Sequence, residues 1–145
     1  MKKYQNIIVL INEEINTKQV LEHAIIMANA FETIITLVYV VNIALVISKF
    51  YQSANIEQIE LGIEKQGEKI LKEISTIVPQ GIKVKGVIEI GSIGSIILSA
   101  AKKYNADFIV IDKQIFGLPK KNCINSFNRY KIAHSDCTIL IVQSE

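Results

Sequence analysis

Four stretches of the chain are apolar at nearly every position: residues 6–11 (NIIVLI), 33–41 (TIITLVYVV), 106–111 (ADFIVI) and 137–142 (CTILIV). A run without polar alternation marks a strand covered on both faces, the condition found in parallel sheets flanked by helices. Residues 82–90 (IKVKGVIEI) differ. There Ile82, Val84, Gly86, Ile88 and Ile90 alternate with Lys83, Lys85, Val87 and Glu89, so one face should meet solvent and the strand should lie near the sheet edge. Helical periodicity fills the intervals. After Asn16, the residues Val20, Ala24, Met27, Ala28 and Phe31 form one stripe. Ile56, Ile59, Ile63, Ile70, Ile74 and Ile77 form a second, closed by Pro79 and Gly81. Ile93, Ile96, Ile97, Ala100, Ala101 and Tyr104 form a third, and residues 126–134 allow a short fourth helix capped by Asn125 or Ser126.

The order is therefore β-α-β-α-β-α-β-α-β. It predicts one α/β domain over residues 1–145, with a doubly wound parallel sheet of five strands and helices on both faces. No linker, repeat or low-complexity tract interrupts it. With strand order 3-2-1-4-5, ligands are expected outside the carboxyl ends of the strands, between the first and fourth. That directs attention to Asn12–Glu14, Val41–Asn42, Gly91–Gly94 and the loop after Ile111.

Composition narrows the function. Hydrophobic residues make up 50% of the 145 and charged residues 21%, ample for a core. The net charge of +2, from 16 basic and 14 acidic residues, gives no electrostatic case for nucleic acid or an anionic membrane. The stretch 33–48 is uncharged, but falls short of the ~20 apolar residues of a spanning helix, and Asn42 interrupts it. The N-terminal apolar run is short, β-branched and closed by Asn12, Glu13 and Glu14, which does not fit a signal peptide. Cys123 and Cys137 form no metal-ligand cluster with His23 and His134; they read as free thiols of a cytoplasmic protein. Neither histidine has a nucleophile and acid at recognisable spacing, so an enzyme is not the expected reading.

GSIGSI at 91–96 has glycines three apart before a helix. Such a turn can present backbone N–H groups to an anion, but a tight turn capped by Ser92 or Ser95 explains it as well. Lys113, Lys120 and Lys121, with Asn122, Asn125 and Asn128, read as a solvated loop with turn and capping residues.

These segments together resemble the universal stress protein family, an adenine-nucleotide alpha hydrolase-like fold. IIVLINEE (7–14) sits at the family's first strand. VIEIGSIGSIILSAAKKYNADFIVID (87–112) is similar to its strand, Gly-started helix, Ala-Asp step and apolar strand. SFNRYKIAHSDCTILIV (126–142) is similar to its last helix and strand. The resemblance implies nucleotide-site positions at Asn12, Val41 and Gly91, and a G-x2-G-x9-G-[S/T] motif falling on Asp112, Ile115, Asn125 and Ser126. The spacing and the final hydroxyl survive, while all three glycines are gone. Ile115 is β-branched and resists positive φ, Asn125 tolerates it, and a carboxylate at 112 would oppose a triphosphate. The expectation is thus a protein that does not depend on ATP, with ATP or AMP binding through relaxed loop chemistry as the alternative. The resemblance also implies homodimers formed through the last strand, at Cys137, Ile139 and Ile141, and a protein partner that the sequence does not name.

Overall fold

The computed structural model describes residues 3–12, 17–42, 55–116 and 137–143. Within them run β1 (Asn6–Ile11), α1 (Thr17–Phe31), β2 (Ile34–Val41), α2 (Ile56–Ser75), β3 (Val84–Ile90), α3 (Ile93–Lys103), β4 (Phe108–Asp112), a 3-10 turn (Lys113–Phe116) and β5 (Thr138–Val142). The expected helix over 126–134 lies outside the described residues. The strands pair in parallel in the order β3-β2-β1-β4-β5, the order anticipated from the sequence. Central β1 is buried at every residue, and β2 at all but its first, because helices cover both faces. On one face Val9, Ile11, Leu37 and Tyr39 pack under α1 and α2; on the other Ile8, Leu10, Val38 and Val40 pack under α3.

Helix ends follow local chemistry. Asn55 caps α2 by accepting the Gln58 N–H at 2.9 Å. After α1 and α3 the chain turns through Glu32 (φ 53°) and Asn105 (φ 51°). The amides that follow them, of Thr33 and Ala106, bond back to Ala28 and to Ala101, closing both helices with the left-handed stop.

Three sequence expectations need correction. On α2 the buried residues are Ile63, Gly67, Leu71 and Ile74, whereas Ile56 and Ile77 are 73% and 53% exposed. Ile56 is the first helical residue and Ile77 lies past the Thr76 cap, so both stand at the ends of the helix. Phe31, at the end of α1, is exposed but stands in an aromatic group with Tyr4 and Phe108, with ring centroids 4.6–5.9 Å apart. On β3 the face carrying Val87 and Glu89 does not meet solvent throughout: Val87 packs against the α3 core and Glu89 is held by α3.

The N-terminal strand ends are tied by polar groups. Asn6 is polar and buried within what reads as an apolar run. Its Nδ2 donates to the Tyr104 carbonyl at 2.6 Å, and its Oδ1 accepts the Thr36 hydroxyl at 2.9 Å. Asp107, the acid of the Ala-Asp step, accepts the Gln5 and Asn6 N–H groups at 2.6 and 3.0 Å. One end of β1, β2 and β4 is thereby fixed, which leaves the opposite end for loops.

Candidate functional site

Because all five strands are parallel, their carboxyl ends share one edge, and β1 lies there between β2 and β4. The chain leaves β1 toward β2 and leaves β4 toward β5, so a crevice opens between the two departing loops. Five of the positions singled out from sequence come to this edge. Asn12 follows β1 and is half-buried. Val41 ends β2, is buried, and accepts the Gly91 N–H at 2.9 Å through its carbonyl. Asp112 ends β4, and Ile115 lies in the 3-10 turn just beyond it. Asn125 and Ser126 lie outside the described residues, as do Glu13, Glu14, Cys123, His134 and the lysines at 120 and 121.

Asp112 sits in a way the sequence could not fix. It is 0% exposed, and its Oδ1 accepts the Gln114 N–H at 2.8 Å, an Asx turn that shapes the start of the 3-10 segment. The carboxylate expected to stand across a triphosphate is instead turned onto its own chain. Its backbone is outside the left-handed region, so a glycine here would serve close ligand approach rather than an unusual φ. A cradle needs free backbone N–H groups and no side chain between them and the phosphate. At 112–114 one N–H is already engaged by a buried acid and is not free for a phosphate.

The GSIGSI segment is a turn and a cap. Gly91 has φ 153°, a conformation side chains rarely adopt. Ser92 is the N-cap of α3, its Oγ accepting the Ser95 N–H at 3.4 Å and donating to the Ser95 hydroxyl at 2.9 Å. Gly94 is buried in the first turn of α3.

A polar group absent from the sequence reading joins β3 to α3. Glu89 Oε1 accepts Lys103 Nζ at 2.6 Å and also the Tyr104 hydroxyl. The bonds from Lys103 and Tyr104 hold the Glu89 carboxyl below its usual range, and the same contact raises Lys103. Tyr104 is raised chiefly by burial. Fourteen and fifteen residues separate these partners, and only the crossover brings them together. Among the described residues no group of three or more His, Cys, Asp or Glu could hold a metal, and no helix is long and apolar enough to cross a membrane. His23 is exposed on α1, with Nδ1 3.0 Å from the Gln19 carbonyl, and has no part in the crevice edge.

Comparison with known structures supports the architecture. A universal stress protein in complex with cAMP aligns with TM-score 0.69 at 15% identity, covering 99% of this chain and 100% of its own. A universal stress protein from Lactobacillus plantarum aligns at 0.65 and 18%, covering 98% and 99%. A family member from Arabidopsis thaliana with AMP bound aligns at 0.61 and 14%, covering 97% and 92%. No curated protein matches the sequence. The profile of the universal stress protein family matches residues 3–143, nearly the whole length, and the chain belongs to that family.

Proposed function

We propose that this chain is a cytoplasmic universal stress-type protein that pairs with a second copy along β5 and acts through protein contacts without depending on ATP. The observation that carries the reading is the unequal protection of the two sheet edges. β3 at one edge bears exposed Lys85, with exposed Lys83 immediately before it, the usual guard against self-pairing. β5 at the other edge has no charged residue from Cys137 to Val142, and Ile141 is 47% exposed with Ile139 half-buried beside it. Antiparallel pairing of β5 with its twin covers both isoleucines and satisfies the outer backbone groups of both copies. The acid at 112, folded into its own turn, supports independence from ATP. Ile141→Lys places a charge in that contact. Sedimentation should show a wild-type dimer and a monomeric or aggregated variant; an unchanged dimer overturns the pairing. Calorimetry with ATP and magnesium should give no heat of binding for the wild type. Tight ATP binding by the wild type overturns the second half of the reading.

A second reading has one specific support, the structural neighbours with cAMP and AMP bound. In that reading the crevice beside Asn12, Val41 and Gly91 takes an adenine mononucleotide, which needs less phosphate lining than ATP. Titration with AMP separates the two: binding of AMP with none of ATP selects the mononucleotide.

A further inference from the structure

We propose that the outer edge of β3 is a strand-addition site for an acidic, extended segment of a protein partner. This deepens the reading that the chain acts through protein contacts and rests on it, but does not depend on pairing along β5.

The direction of the backbone groups comes first. Ile35 N–H bonds to the Lys83 carbonyl at 3.0 Å, and Gly91 N–H to the Val41 carbonyl at 2.9 Å, so the odd-numbered residues of β3 face β2. The N–H and C=O of one strand residue point the same way, so Val84, Gly86, Ile88 and Ile90 direct theirs outward. Among the described residues β3 has β2 as its sole strand neighbour, and none of these outward groups bonds to another part of them. Gly86 and Ile90 are exposed, which keeps the approach open. No proline or bulge interrupts the seven residues, and their register with β2 is continuous from Val84 to Ile90. A partner of about seven extended residues would match that length.

Charge selects among partners. Odd-numbered side chains of β3 stand on the α3 side of the sheet, where Val87 joins the α3 core and Glu89 meets Lys103. Lys83 and Lys85 precede them on the same face and are exposed. Lys103 and Glu89 are paired with each other, so the face beside an added strand presents the two exposed charges of Lys83 and Lys85. The same lysines repel a second β3, so they exclude self-pairing and favour an acidic strand.

The test uses the whole protein and two blocked heptapeptides, one alternating threonine with glutamate and one alternating threonine with lysine. The glutamate peptide should bind about tenfold more tightly, with the difference shrinking as salt is raised. Amide exchange should slow at Gly86, Ile88 and Ile90 and stay unchanged at Lys85, Val87 and Glu89. Lys83→Glu combined with Lys85→Glu, both at exposed positions, should reverse the peptide preference. Equal binding of the two peptides, binding of neither, or slowed exchange elsewhere overturns the site. If neither binds while Ile141→Lys still abolishes a wild-type dimer, the β3 site fails and the protein-contact reading stands. If the glutamate peptide binds as described while that dimer is unchanged, β5 pairing fails and the β3 site stands.

Discussion

Two glycines on α2 should respond to the same substitution with opposite sign. Gly67 is buried where the helix crosses β2 and β3. A Cβ there would lie 2.5 Å from Ile88 Cδ1, 2.9 Å from Ile88 Cγ1 and 3.3 Å from Tyr39 Cδ1. Rotating the end of Ile88 moves Cδ1 but leaves Cγ1 in place, so the helix or the strand must shift. Overpacking of this kind costs roughly 1–3 kcal/mol, and alanine in a helix interior recovers up to about 1 kcal/mol. Gly67→Ala should therefore lose about 1 kcal/mol. Gly62, five residues earlier on the outer face, is exposed with nothing within 4 Å of a Cβ there, so Gly62→Ala should gain about 0.5–1 kcal/mol. Urea unfolding of both variants, read by circular dichroism, measures the two signs. Ile88→Val removes Cδ1, so the loss from Gly67→Ala should shrink in that background, a coupling that a double-mutant cycle isolates. If Gly67→Ala proves as stable as the wild type, close approach at Ile88 does not set the α2–β3 spacing.

Other expectations follow from the polar contacts. Asn6→Ala strands the buried Thr36 hydroxyl and the Tyr104 carbonyl, and should cost about 3 kcal/mol in urea unfolding, well above the effect of Thr36→Val. Glu89 has a folded-state pKa below its unfolded value, so its contribution is present above the unfolded pKa and lost as pH falls through the folded one. The stability gap between wild type and Glu89→Gln should thus be open at neutral pH and narrow only as pH falls below the ordinary glutamate range, followed by unfolding across an acid series. Ser92→Ala removes the α3 cap and should cost about 1 kcal/mol, measured by the same unfolding.

Much of the fold was readable because burial on both faces erases alternation. β1, β2 and β4 stand out as unbroken apolar runs for that reason, and the alternation of β3 marks an edge. Reading α2 by its isoleucines finds Ile63 and Ile74, which are buried, but misses the centre of the contact. The helix meets the sheet through Gly67 and Leu71, and Leu71 stands against Gly86, where a Cβ would come within 3.2 Å. An absent side chain cannot appear in a hydrophobic stripe. The sequence pattern puts Glu89 on a solvent face and Tyr104 in a helix stripe and gives Lys103 no role, since nothing local links a strand to the far end of the next helix. For the candidate site, sequence located position 112 but not the direction of its carboxylate. A cue existed in the general tendency of Asp to bond an amide two residues on, which Gln114 satisfies here.

The Asx turn at Asp112 also changes how restoration of the glycine motif must be read. Replacing Asp112 by glycine deletes the bond to Gln114, worth about 1 kcal/mol, and adds unfolded-state freedom worth roughly another. A variant with glycine at 112, 115 and 125 should therefore unfold more readily than the wild type when no nucleotide is present. If those side chains are what excludes ATP, the variant should recover stability as ATP and magnesium are added, by about 2.7 kcal/mol at a hundredfold excess over Kd. The wild type should not respond. Thermal unfolding across an ATP series follows both proteins at once. A destabilised variant that ATP does not rescue would show that residues 112, 115 and 125 are not the barrier, and would move the cause to other walls of the crevice.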